Sequence, residues 1–129
     1  MLVRIALARI IINESGDQAI ILREVDGVRT FPVMIGLPEA LAIDRRIKGQ
    51  KPARPLTHDL LHSVIEKLGG ELERIVIHEL KQHTFYAKLY VRQNGSIVEI
   101  DARPSDAIAL GAGSDTPMFV SQSVLDEVG

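Results

Sequence analysis

The sequence predicts an α+β domain with mostly antiparallel or mixed sheets and about four helices. Runs rich in Ile, Leu and Val, bounded by turn residues, predict strands, and segments whose apolar residues recur every three or four positions predict helices. Of the 129 residues, 46% are hydrophobic and 25% are charged. We found no linker, repeat or low-complexity tract, so residues 1–129 are expected to bury one core as a single domain.

The N-terminal part is predicted to form three strands, at residues 3–12, 19–24 and 28–35. The second and third strands meet at Asp26-Gly27, a residue pair that favours hairpin turns. Consecutive strands joined by short turns predict an antiparallel meander.

Two helices are expected next, starting at residue 38 and at residue 57. Gly49 is expected to end the first helix. Thr57 is expected to cap the second helix, with Asp59 in its first turn, where the helix dipole favours a negative charge. An apolar stripe along this second helix, ended by Gly69-Gly70, supports its assignment as a helix.

The rest of the chain is predicted to contain three strands, a helix, a short strand and a final short helix. Asn94-Gly95 is the strongest hairpin signal in the chain and joins the second and third of these strands. Pro104 suits the first turn of the helix, and Ser105 and Asp106 are expected to cap it. The six elements are predicted at residues 72–80, 84–92, 96–101, 102–110, 117–120 and 123–128.

Composition excludes several classes of protein. The chain has no cysteine, which rules out disulfides, thiolate nucleophiles and zinc-thiolate clusters and favours a cytoplasmic location. No apolar run approaches the roughly 20 residues that cross a bilayer, so no membrane partner is expected. The glycine-rich and serine motifs of P-loop proteins, dinucleotide-binding proteins and serine hydrolases are missing.

A short basic segment, residues 45–54, holds five cationic side chains and no acid, although the whole chain has a formal charge of −2. Such a segment can attract phosphate, which predicts weak nucleic-acid binding with little sequence specificity. The alternative is a solvated surface without a ligand. The five side chains, expected to bind substrate, are Arg45, Arg46, Lys48, Lys51 and Arg54.

His58 and His62 stand four residues apart on the second predicted helix, so both rings project from one face. Imidazoles at this spacing can share a metal ion. A zinc site needs a third protein ligand, however, and no HExxH pattern is present, so an exposed pair without a metal is the alternative.

Residues 100–106 place two carboxylates, a guanidinium and a hydroxyl where a strand meets a helix. Asp101 and Asp106 could bind a divalent cation through oxygen, while Arg103 neutralises a phosphate and Ser105 contacts the substrate. This set is the minimum for metal-assisted phosphodiester hydrolysis. In the alternative, Ser105 and Asp106 cap the helix, Arg103 pairs with an acid, and no chemistry occurs.

Two motifs, RPLTHDLL at residues 54–61 and DARPSDAIAL at residues 101–110, resemble the bifunctional nuclease domain family. FPVMIG at residues 31–36 and PMFV at residues 117–120 resemble further blocks of the family, in the same order and spacing. The resemblance implies a single α+β domain that usually self-associates and, in some members, cleaves both DNA and RNA. It brings no agreed catalytic set. The stretch at residues 111–115 departs from the family, in which the helix usually continues with an arginine.

We therefore expect metal-assisted phosphodiester hydrolysis of DNA and/or RNA, with Mg²⁺ or Mn²⁺ as the divalent ion. His58, Asp59 and Arg103 are the candidate catalytic residues, and Asp101 and Asp106 the candidate metal ligands. Both motifs mark helix N-termini, which favour anions, so they are expected to face one cleft.

Two alternatives are a non-catalytic, self-associating module that binds a small anionic ligand or a partner protein, and a protein that binds nucleic acid without cleaving it. A homo-oligomer, most simply a dimer, is expected in each case. The first predicted strand offers apolar side chains on both faces, and the predicted helices can cover only one face of a sheet.

Overall fold

The computed structural model describes all 129 residues and confirms the α+β class, with one sheet and four helices. The elements, in chain order, are β1 (Leu2–Ile12), β2 (Gln18–Glu24), β3 (Thr30–Ile35), α1 (Leu37–Ile47), α2 (Thr57–Lys67), β4 (Gly70–Lys81), β5 (Thr84–Gln93), β6 (Ser96–Ala102), α3 (Pro104–Gly111), β7 (Met118–Ser121) and α4 (Gln122–Val128).

The seven strands form a single mixed sheet in the order β3-β2-β1-β7-β4-β5-β6. The predicted N-terminal meander is confirmed, and β4, β5 and β6 form a second meander. The short strand β7 lies between the two meanders, antiparallel to β1 and parallel to β4. It thereby joins the two halves of the chain into one sheet.

Two turns show how local sequence sets the strand boundaries. Asn94 and Gly95 have φ angles of 52° and 79°, the positive values that a two-residue hairpin turn requires, as predicted. The predicted start of β3 at residue 28 is wrong, because Val28 lies in the preceding turn and is 94% exposed. The Glu24 carboxylate accepts hydrogen bonds from the backbone and side chain of Arg29. These bonds extend the turn, so β3 starts at Thr30, two residues later than predicted.

The core is built around α3, and the sheet curves around this helix. Seven of the eight α3 residues are buried, so this helix is enclosed on nearly every side. The rings of Phe31 on β3 and Phe85 on β5 have centroids 5.9 Å apart, although these strands are not neighbours in the sheet. The curvature brings β3 towards β5 and places the N-terminus of α3 beside both.

The helix starts differ from the predictions in their capping groups. Leu56, not Thr57, is the N-cap of α2, and the carboxylate of Asp59 accepts a hydrogen bond from the Leu56 amide at 3.0 Å. Arg103 is the N-cap of α3, and no side chain caps this helix. The predicted capping by Ser105 and Asp106 is wrong, because the Asp106 carboxylate is bound to other side chains and Ser105 makes no capping hydrogen bond.

The C-terminal end of α3 explains why small residues follow Leu110. A Cβ atom on Gly111 would lie 2.6 Å from Cδ1 of the buried Ile75, so the glycine permits close packing of α3 on β4. Nη2 of Arg46 donates to the Leu110 carbonyl at 3.0 Å. A guanidinium from α1 thus supplies the positive charge that the last turn of α3 lacks.

None of the four helices is long and apolar enough to span a membrane.

Candidate functional site

A cleft of about 700 Å³ lies between α1, α2 and α3 and the strands β5 and β6. Residues of both sequence motifs line it, which confirms that the N-terminal turns of α2 and α3 face a common cleft. The predicted site residues in its lining are Arg45, Arg46, His58, Asp59, Asp101, Arg103 and Asp106.

Asp106 is the centre of a hydrogen-bonded group at one side of the cleft. Its Oδ1 atom lies 3.0 Å from Nε2 of His58, and its Oδ2 atom accepts from Nε of Arg103 at 2.7 Å. Burial alone would raise the pKa of Asp106, but the hydrogen bonds from Arg103 and His58 outweigh it and leave this pKa below its usual range. The Asp106 carboxylate is therefore ionised at neutral pH.

This ionisation fixes the proton on the His58 ring. A carboxylate without a proton can only accept a hydrogen bond, so Nε2 of His58 is the donor. Nδ1 has no hydrogen-bond partner within the chain, and in the neutral ring it is the nitrogen that carries the lone pair. The histidine side chain is 15% exposed, so it is largely held by its surroundings. The arrangement presents an oriented proton acceptor.

Arg103 is bound on two sides and still reaches solvent. The hydrogen bond to Asp106 raises its pKa further, so its charge is permanent. Nη1 lies 3.9 Å from Oε1 of Glu39, at the start of α1, while the Arg103 side chain is 66% exposed. Sequence reasoning missed Glu39, because an acid in the first turn of a helix is ordinarily explained by the helix dipole.

Arg46 and Asp59 form a second ion pair, with Nη1 and Oδ1 2.5 Å apart. The hydrogen bond from the Leu56 amide and the one from Arg46 lower the pKa of Asp59 against the opposing effect of burial. Both carboxylate oxygens are therefore occupied. Since Arg46 also binds the Leu110 carbonyl, it joins α1, α2 and α3. We conclude that this pair stabilises the walls of the cleft.

The remaining predicted residues lie elsewhere. Lys48 pairs with Asp44 on its own helix at 2.9 Å. Lys51 and Arg54 are exposed in the loop between α1 and α2 and do not line the cleft. Ser105 lines a second cleft of about 410 Å³ beside β3 and β5, to which Arg103 and Glu39 also contribute.

His62 also lies outside the main cleft, where it pairs with Glu66 at 3.4 Å. It therefore does not join His58 at the candidate site.

The residues present do not fit a metal ion held by the protein alone. Nowhere do three His, Asp or Glu side chains come together as ligands. Asp59 uses both oxygens for Arg46 and Leu56, and Asp106 uses both for His58 and Arg103. Asp101 is the one carboxylate of the cleft without a hydrogen bond or an ion pair.

Comparison with known proteins places the chain in a family. A model of the bifunctional nuclease domain matches residues 20–129. This match includes both motifs, all four helices, strands β3 to β7 and most of β2. The chain belongs to the bifunctional nuclease domain family.

Three relatives each match more than four fifths of this chain. An uncharacterised protein of Mycobacterium tuberculosis is 40% identical over 110 residues, which are 85% of this chain and 65% of that protein. A protein of Oryza sativa subsp. japonica called bifunctional nuclease 2 is 30% identical over 118 residues, 88% of this chain and 36% of its own length. An Arabidopsis thaliana protein of the same name is 24% identical over 114 residues, 85% of this chain and 35% of that protein. The chain thus spans less than two thirds of these relatives.

Proposed function

We propose that this chain hydrolyses phosphodiester bonds of DNA and/or RNA in the cleft of about 700 Å³. Nuclease activity is what the names of the plant relatives suggest for the family. The observation that carries the proposal is the hydrogen bond between His58 and Asp106, because it leaves Nδ1 of His58 as an oriented base. Arg103 stands beside this pair and supplies a permanent positive charge.

The reaction balances with one water molecule. The oxygen of water attacks phosphorus, and the bond from phosphorus to one sugar oxygen breaks. Nδ1 of His58 takes a proton from the water, the Asp106 carboxylate stabilises the resulting imidazolium, and the leaving oxygen takes a proton from solvent. Arg45 and the outer nitrogens of Arg103 bind the non-bridging oxygens, where negative charge increases in the transition state.

In this proposal, a divalent ion binds only together with the substrate. Mg²⁺ is commonly bound through one or two carboxylates together with substrate phosphates. Asp101 is the carboxylate that is free to contact such an ion, and Mn²⁺ takes the same oxygen ligands. When bound, the ion would neutralise phosphate charge.

The test is cleavage of single-stranded and duplex DNA and RNA by the purified chain in Mg²⁺, Mn²⁺ or EDTA. We expect shorter products with the wild-type chain, and loss of these products in His58→Asn. His62→Asn is the matched control, because it changes a histidine one turn further along α2 that lies outside the cleft. Asp101→Ala tests dependence on the free carboxylate.

Two outcomes contradict the proposal. Equal product from wild type and His58→Asn would assign the activity to a contaminant or to another site. No product under any condition would also reject hydrolysis.

A non-catalytic module is the second candidate function, and one observation favours it. Arg46 pairs with Asp59, and His58 and Arg103 bind both oxygens of Asp106, so the cleft can be a stable structural feature without chemistry. Calorimetric titration with a short oligonucleotide separates the candidates. Heat of binding without new products favours the module, and binding followed by cleavage favours the nuclease.

A further inference from the structure

We infer that the cleft accepts a single phosphodiester with one nucleoside on each side, either a dinucleotide or the end of a single strand, and not the interior of a long chain. The inference rests on the proposed function and names its substrate class. Three features of the cleft carry it: its free positive charge, its surroundings and its apolar floor.

The free positive charge of the cleft suffices for about one phosphate. Three arginines line the cleft, but so do four carboxylates, those of Glu39, Asp59, Asp101 and Asp106. Arg46 is committed to Asp59 and to a backbone carbonyl. Arg45 has no ion pair, and Arg103 keeps free donors because its Nε atom alone binds Asp106. No further unpaired arginine lines the cleft for a second or third phosphate.

The lining of the cleft has no row of cationic side chains that could contact successive phosphates of a longer strand. Proteins that hold the interior of single strands combine a positive groove along the backbone with aromatic side chains on which bases stack. Here Lys48 is paired with Asp44, and Lys51 and Arg54 lie outside the lining. No aromatic side chain lines the cleft either. Both elements of a strand-binding groove are missing.

The floor of the cleft suits the uncharged parts of a nucleotide. Leu61, Ile65 and Ile100 contribute accessible apolar surface, which can cover the faces of a base or a ribose. A volume of about 700 Å³ lies within the range of roughly 300–1,000 Å³ typical of small-molecule sites. Side chains of this kind offer no hydrogen bonds to base edges, so little base selection is expected.

The test compares three substrates at equal phosphodiester concentration: a dinucleotide, a linear single strand of 20 nucleotides, and a closed single-stranded circle of the same length. We expect the dinucleotide to be cut and the linear strand to be shortened by one or two nucleotides at a time. The circle should be cut at least tenfold more slowly.

The experiment distinguishes an error in the substrate class from an error in the proposed hydrolysis. Equal rates on circle and linear strand would overturn the substrate class and leave hydrolysis intact. Failure to cut all three substrates would overturn the proposed function itself.

Charge-removing variants provide a second readout. Arg45→Gln should raise KM for the dinucleotide and reduce the dependence of binding on salt by about one released ion, a slope change of about 0.7. Lys67→Gln, which removes one charge at the far end of α2, is the matched control and should change neither value. If Lys51→Gln weakened binding of the linear strand as much as Arg45→Gln, a cationic track would be present and the inference would be wrong.

Discussion

Nε2 of His58 and Oδ1 of Asp106 lie 3.0 Å apart, although 48 positions separate the two residues in the chain. His58 lies in the first turn of α2 and Asp106 in the first turn of α3. Their hydrogen bond therefore joins two helix N-termini, where partial positive charge already favours the carboxylate. The pair is at once an ionised acid, an oriented imidazole and a connection between the two sequence motifs.

Asp106→Asn is expected to lower kcat by about 100-fold or more and to change KM little. The asparagine side chain has nearly the same shape, but it cannot stabilise an imidazolium with a negative charge. Steady-state kinetics on a dinucleotide with the variant and the wild type measures this effect. A kcat within a factor of two of the wild type would show that Asp106 has no part in the proton transfer.

Arg46→Met is expected to lower the free energy of unfolding by about 2 kcal/mol, because it leaves the Asp59 carboxylate and the Leu110 carbonyl without their charged donor. Arg45→Met is the matched control, since Arg45 is the neighbouring residue and makes no ion pair; its effect should stay within about 0.5 kcal/mol. Urea unfolding followed by circular dichroism measures both. Equal effects would mean that Arg46 does not hold the three helices together.

Acid should destabilise the fold partly through Asp59. Its pKa is lowered in the folded state, so its contribution to stability is present above the pKa of the unfolded chain, about 4, and is lost as pH falls through the lower folded value. Asp59→Asn should therefore be less stable than the wild type at pH 7 and approach it in stability below about pH 3. Unfolding curves from pH 7 to pH 2 test this, and a stability difference that stays constant with pH would contradict it.

Local sequence predicted the elements well, because strands and helices here follow their hydrophobic periods and turn residues closely. The errors occurred where a side chain overrides a local signal, as Glu24 does by holding the turn before β3 through Arg29. The order of the sheet was not predictable, since β7 is four residues long and joins both meanders through pairing partners far away in the chain.

The candidate site was predictable in position and only partly in detail. Two motifs at helix starts indicated a shared cleft. Of the alternative without chemistry, the pairing of Arg103 with an acid is confirmed, since Asp106 lies three positions away, whereas the capping by Ser105 and Asp106 is wrong. The link from Arg46 to Asp59 depends on how two helices meet, and no local pattern encodes it. The five cations of the basic segment therefore differ in role: Arg46 joins three helices, Arg45 lines the cleft without an ion pair, and the two lysines and Arg54 are exposed outside the cleft.

Self-association remains a prediction, but the first strand is not the surface that the structure favours for it. Ile5 is 2% exposed and other apolar residues of β1 are partly covered by the core. In contrast, α2 has no buried residue, and the edge strand β6 has none either. Apolar side chains that are about two fifths exposed or more and do not line the cleft lie on β6 and on or directly after α2: Leu60, Val64, Leu68, Ile97 and Val98.

A symmetric dimer would cover this surface most simply, since exposed apolar patches of large size are uncommon on monomers. Size exclusion with light scattering should give twice 14.2 kDa at micromolar concentrations. The double variant Leu60→Glu with Val64→Glu, whose two positions do not line the cleft, should reduce the mass to 14.2 kDa. Val28→Glu is the control, because it places the same charge on an isolated exposed residue of the β2–β3 turn and should remain dimeric. A wild-type mass of 14.2 kDa throughout would reject self-association.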